Sequence, residues 1–194
     1  MDAKHELPGS IHASRTIIDR MIGAAKLDVP TYEEVEHNDS LTAQAALVVA
    51  IAAVARAIGG VDGGSAQVLS GLMTALSMWI VWAGITYLIG DRLLGGTATW
   101  GELLRTLGFA QAPGVLAIVG VIGPLSGVTE IVVSIWLLVA GIVAIRQALD
   151  FGTGKAILTA VLGWLAAIVV AVLIAIAIGG MAAIFGGVAS MFGG

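Results

Sequence analysis

The chain has no cysteine among its 194 residues, so it can form no disulfide and offers no thiolate nucleophile or thiolate metal site. Charge is also scarce. Only 11% of the residues are charged, and 13 acids against 9 bases leave a net charge of −4, with no basic surface for nucleic acid. The three histidines, His5, His12 and His37, all precede the first apolar stretch and have no metal-ligand spacing with one another. No Ser–His pair or pair of aspartates falls inside an apolar stretch, as hydrolysis within a membrane would need. Gly152-Thr-Gly-Lys155 resembles the end of a phosphate-binding loop. It fails the full pattern, because Leu149 stands at the upstream glycine position and Ala156 at that of the metal-binding hydroxyl. No enzyme, cofactor or metal is expected.

What the chain does have is apolar length. With 58% hydrophobic residues it is too apolar for an ordinary soluble domain. Five stretches, Ala43–Val61, Ala66–Ile89, Leu107–Leu125, Val128–Leu149 and Ala156–Ile178, each approach the ~20 residues that a helix needs to cross ~30 Å of hydrocarbon. Lys4, Arg15, Arg20 and Lys26 precede the first, Arg92 and Arg105 fall between the second and third, and Arg146 and Lys155 flank the link from fourth to fifth. The remaining links and the tail carry no Lys or Arg. Because cationic loops stay in the cytoplasm, the pattern predicts a cytoplasmic amino terminus and a carboxyl terminus outside. Only Arg56 departs from it. The first stretch, preceded by about 40 mostly polar residues, reads as an uncleaved anchor.

The predicted fold is all-α: a polytopic bundle of five transmembrane helices with an interfacial amphipathic helix before it. Residues 1–41 form a cytoplasmic arm, 42–178 the membrane domain and 179–194 a glycine-rich apolar tail. In the arm, Ile17, Ile18, Met21, Ile22 and Ala25 recur at helical spacing, with Arg15, Asp19, Arg20 and Lys26 on the other side. Such a helix lies among headgroups with Arg15 and Arg20 near phosphates, or packs on the bundle's own end. Thr31-Tyr-Glu-Glu34 has the spacing of a capping box, as does Thr99-Trp-Gly-Glu102 ahead of the third span. The acids Glu33, Glu34, Glu36 and Asp39 face water or a protein partner.

Inside the spans, Pro113 removes a backbone hydrogen bond just after Gln111. This polar kink either lines a small cavity or packs with Gln111 bonded to a neighbouring helix. Arg56 and Glu130 fall one to two turns inside the same boundary, a depth that favours an ion pair over two separately buried charges. In the fifth span Gly163, Ala167, Ala171, Ala175 and Gly179, continued by Ala183 and Gly187, repeat every fourth residue. That row lets two helices approach closely, within the bundle or between copies.

Several blocks together give a family resemblance. They are Ile18-Asp-Arg-Met21, Leu27-Asp28, Tyr32-Glu-Glu-Val-Glu36, Asp39 and Thr42-Ala-Gln-Ala45, followed by Trp79, Trp82 and Tyr87-Leu-Ile-Gly90. Leu104-Arg-Thr-Leu-Gly-Phe-Ala110, Ala112-Pro113, Trp136 and Val143-Ala-Ile-Arg-Gln-Ala148 complete the set. From Ile18 to Thr159 the chain resembles the prokaryotic branch of the Yip1 family. The resemblance implies five spans and a cytoplasmic amino terminus. Eukaryotic relatives act in vesicle traffic and bind Rab-type GTPases. This chain lacks their Asp-Leu-Tyr-Gly-Pro motif and has a short arm, so no Rab-type partner is expected.

The function expected is a non-catalytic scaffold in a prokaryotic cytoplasmic membrane, organising lipids or recruiting other membrane proteins, or self-associating as a homo-oligomer. The alternatives are a small transporter or channel subunit, with Arg56, Gln111 and Glu130 along its route, and an accessory subunit of a larger complex.

Overall fold

The computed structural model describes residues 15–60 and 65–192; Lys4, His5 and His12 lie outside them. Seven α-helices follow in order: α1 (Ile17–Ala25), α2 (Val29–His37), α3 (Thr42–Gly59), α4 (Ser65–Tyr87), α5 (Trp100–Phe109), α6 (Ser126–Ala148) and α7 (Thr153–Phe192). No strand forms among the described residues. Five helical segments are long and apolar enough to cross a bilayer: Asp39–Gly59, Val68–Leu93, Trp100–Val121, Gly123–Ala148 and Thr153–Val170. The fold is therefore the expected membrane helical bundle.

The third span sits at its centre. Of its apolar window 61% is buried, against at most 33% of any other span. It is only half α-helical. α5 ends at Phe109, and Ala112–Val121 continues as a 3₁₀ helix, with Gln111 N–H donating to Gly108 and Gly114 N–H to Gln111. Pro113 has no N–H for the i−4 carbonyl, and the ladder switches to the i−3 register around it. At about 2.0 Å per residue against 1.5 Å, the 3₁₀ half lengthens the span to about 35 Å overall. Past Pro113 its buried residues are Gly114, Ala117 and Gly120, one per three-residue turn. α3 runs parallel to this face: Ala45 lies against Gly108, Ala52 against Gly114, and Gly59 against Ala117 and Gly120. A Cβ on Gly59 would come within 2.0 Å of the Ala117 carbonyl oxygen. Small residues thus replace interdigitating side chains, and the backbones touch.

Links α4–α5 and α6–α7 meet at one end, where Thr97 donates to Asp150 at 2.7 Å and Lys155 to the Leu94 carbonyl at 3.3 Å. This proximal end also holds Arg92, Arg105 and Arg146. Arg56 and Glu130 lie at the opposite, distal end, beside the α3 terminus and the start of α6. α4 closes proximally in a π-helical turn, Leu88–Leu93. α7 continues without a break to Phe192, past the expected end of the fifth span at Ile178. An apolar segment has no better partner for its amides than its own carbonyls, which favours continuation over fraying.

α1 and α2 do not cap the proximal end. They lie along the bundle's flank. Trp136 Nε1 donates to the Ala25 carbonyl at 2.8 Å, and the Tyr32 hydroxyl reaches the carbonyls of Ala24 at 3.2 Å and Ala140 at 3.5 Å. Trp136 and Ala140 precede the end of α6 by about 18 and 12 Å of helix axis, so the turn between α1 and α2 reaches well along α6. That turn is a Schellman motif: Asp28 N–H donates to the Gly23 carbonyl at 3.0 Å, and Leu27 takes the left-handed conformation at φ 62°.

α1 begins in a capping box of Thr16 and Asp19. α2 begins three residues before the expected Thr31 box. Asp28 is its cap, Pro30 occupies the first turn, and Thr31 N–H donates to the Asp28 carboxylate at 3.1 Å. The expected box at Thr99 and Glu102 is present at the start of α5.

Candidate functional site

The apolar stripe expected on α1 divides in two. Ile17, Met21 and Ala25 pack toward the core around the fully buried Ala24, whereas Ile18 is 63% and Ile22 49% exposed. The helix therefore presents one side to the bundle and an apolar edge to its surroundings.

Arg15 and Arg20 do not extend toward headgroups; both turn onto Glu34. Arg15 meets one carboxylate oxygen at 2.8 Å and Arg20 the other at 2.7 Å. Arg20 is buried and also donates to Gln44 on α3 at 3.2 Å, while Arg15 donates to Thr31 at 2.8 Å. A guanidinium presents several donors in a fixed fork, and between them the two engage both oxygens of one carboxylate. Glu34, expected as the second half of a capping box, is instead the anion that locks α1 to α2, and Arg20 extends the link to Gln44 of α3. Gly23 permits the close crossing, since a Cβ there would meet the Thr31 hydroxyl at 2.2 Å.

A second brace comes from α5. Arg105 is buried, donates to the Val35 carbonyl at 3.0 Å and to the Glu36 carbonyl, and pairs with Asp39 at 2.8 Å. The last carbonyls of a helix have no intrahelical partner, and Arg105 supplies one. In the sequence Arg105 stands out as a link cation and as part of the Leu104–Ala110 block, and neither marks it as a brace. Its position two residues past the apolar Leu103 on a capped helix was the available signal.

Glu33, Glu36 and His37 bring ligand-type atoms within 4.8 Å of one another on α2. Spacing among the histidines alone missed this i, i+3, i+4 group. Burial pushes the Glu36 carboxyl up to about 7, with Glu33, Glu102 and Asp150 raising it further and His37 opposing. The group thus favours a proton at this position.

Two clefts open on the bundle. The distal one, about 320 Å³, is bounded by Arg56, Ser126, Thr129 and Glu130 over Gly59 and Gly120. Arg56 and Glu130 thus share one cleft, as depth matching suggested. They form no ion pair within 4 Å among the described residues. Both side chains are exposed at the end of the bundle, where neither needs the other to escape burial. Ser134 donates to Glu130 at 3.4 Å. The larger cleft, about 600 Å³, is walled by Trp79, Trp82, Trp164 and Leu137, and Gln111 and Arg56 also line it. Gln111 makes no side-chain hydrogen bond to a neighbouring helix among the described residues, whereas Pro113 is buried. Gly163 faces Trp82 and Ile85 of α4, and Ala167 is half-buried. The side chains of Ala171, Ala175 and Gly179 lie outside the described residues.

Five long apolar spans packed round a kinked central helix define a multi-pass helical membrane protein. A family model described as Yip1 domain matches residues 29–174, and the chain belongs to the Yip1 family. The match covers α2 to the fifth span; α1, and with it the Ile18-Asp-Arg-Met21 block, lies ahead of it. No curated protein and no solved structure matches the chain.

Proposed function

We propose that this protein is a non-catalytic membrane-organising scaffold of the prokaryotic Yip1 branch. It resides in the cytoplasmic membrane with its amino terminus inside and its carboxyl terminus outside. One observation carries the reading: α1 and α2 are locked along one flank of the bundle, with Ile18 and Ile22 left exposed. Their cross-section widens the bundle on that flank, and the apolar edge is available to acyl chains or to a membrane partner. An asymmetric cross-section with an interfacial amphipathic helix favours a curved leaflet. The braces at Glu34 and Arg105 make the wedge rigid. Partners are other membrane proteins or a second copy of the chain, with no Rab-type GTPase and no nucleic acid.

The test is reconstitution of the full chain into liposomes of graded diameter. Wild-type protein partitions toward the smallest vesicles, and Ile18→Ser with Ile22→Ser abolishes the preference without unfolding the bundle. Equal density across diameters for the wild type refutes the reading.

A further inference from the structure

The two clefts meet at Arg56, which lines both. On one side is a small polar mouth holding a cation and a carboxylate that do not pair, with Ser126 and Thr129 beside them. On the other is a trough of about 600 Å³ between α3, α4, α6 and α7, walled by three tryptophans. That volume is ordinary for a ligand site, and the mixture of apolar wall and few polar groups is what such sites present. Ser134 faces the trough and donates to Glu130, holding one carboxylate oxygen at the junction. Gly59 and Gly120 leave the floor of the mouth without side chains.

We propose that these two clefts, adjoining at Arg56, together bind one phospholipid whose head carries a phosphate and a protonated primary amine. The phosphate sits on Arg56, the ammonium on Glu130, and one acyl chain lies in the tryptophan-walled trough. Charge complementarity selects this occupant. An anionic head satisfies Arg56 but brings no cation, and leaves the Glu130 carboxylate uncompensated. A quaternary ammonium has no N–H to give the carboxylate, whereas a primary ammonium donates a charge-assisted hydrogen bond. Between opposite charges too far apart to pair, a zwitterion completes two ion pairs at once. The inference does not depend on the wedge and stands or falls separately from it.

The experiment is native mass spectrometry of the full chain in mild detergent. Phosphatidylethanolamine, phosphatidylglycerol and phosphatidylcholine are added in equal amounts. Wild-type protein retains phosphatidylethanolamine about tenfold over phosphatidylcholine, the scale of one charge-assisted hydrogen bond. Glu130→Gln removes that preference and leaves phosphatidylglycerol retention undiminished; Arg56→Gln lowers retention of all three lipids, because each of them carries the phosphate that sits on Arg56. Equal retention of all three lipids by the wild type, or a preference surviving both substitutions, overturns the proposal. A second readout covers a variant that fails to fold: phosphatidylethanolamine with brominated chains quenches wild-type tryptophan emission saturably, and unlabelled phosphatidylcholine does not compete. Equal competition by phosphatidylcholine also overturns it.

Discussion

Arg105 holds Glu36 by its main chain and leaves its carboxyl alone. The guanidinium donates to the Glu36 carbonyl and pairs with Asp39, while the Glu36 carboxyl is buried without that cation's help and is pushed up to about 7. One residue thus fixes the end of α2, and its neighbour makes that end sensitive to protons.

Arg105→Lys places a single ammonium where a planar fork bridges two carbonyls and a carboxylate, and it should not rescue the brace. Each buried carbonyl left without a donor costs about 1–3 kcal/mol. We expect a lower melting temperature in detergent for Arg105→Lys and a larger drop for Arg105→Leu. Proteolysis between residues 26 and 41 should quicken in both, and unchanged cleavage rates argue against the clamp.

The Glu36 carboxyl has its ordinary value of 4.5 when unfolded and about 7 when folded. Between these values the native state holds a proton that the unfolded state has released, so this contribution is complete below about 4.5 and is lost as pH rises through about 7. α2 should therefore exchange its amides more slowly at pH 6 than at pH 8, after correction for intrinsic rates. Glu36→Gln should remove the difference. Asp19 works in the opposite sense. Its hydrogen bonds with Thr16 hold its carboxyl below 3.8, and the capping box of α1 should weaken only as pH falls below that value.

Gly59→Ala forces the backbones of α3 and the third span apart, because the new methyl meets a carbonyl rather than a movable side chain. Overpacking of this kind costs about 1–3 kcal/mol. Gly71, in α4, has nothing within 4 Å of its Cβ position, and Gly71→Ala should instead stabilise by up to about 1 kcal/mol. Thermal unfolding of the two variants in one detergent distinguishes them, and equal shifts would refute the contact.

Reporter fusions after Leu41, Gly64, Gly96, Gly127, Gly152 and Gly194 should alternate, beginning inside and ending outside. Two successive fusions on one side would remove a span.

Much of this architecture is legible in the chain because a bilayer demands long apolar runs, and five of them stand out, with basic residues on alternate links. The amphipathic α1 is legible for the same reason. Its orientation is not, since Arg20 is buried by Glu34, fourteen residues away, and no local pattern announces that pairing. The start of α2 is hidden by Leu27, a bulky residue where a left-handed turn usually calls for glycine. At the distal cleft, depth matching brings Arg56 and Glu130 to one place, but depth carries no information about azimuth or reach. The 3₁₀ half of the third span left a clear trace in the small residues Gly114, Ala117 and Gly120. A period of three was read past because apolar runs are ordinarily taken as α-helical.

That period has a further consequence. In an α-helix a stripe of residues drifts around the axis, so a one-to-one contact with a straight neighbour is soon lost. With three residues per turn the stripe runs straight, and Gly114, Ala117 and Gly120 act like rungs of one ladder against α3. Span length is then quantised. Inserting three residues after Ala117 would lengthen the helix by about 6 Å and return every rung to its rail, whereas inserting one would rotate the distal rungs by about a third of a turn. Natural relatives that differ in span length should therefore differ here by threes.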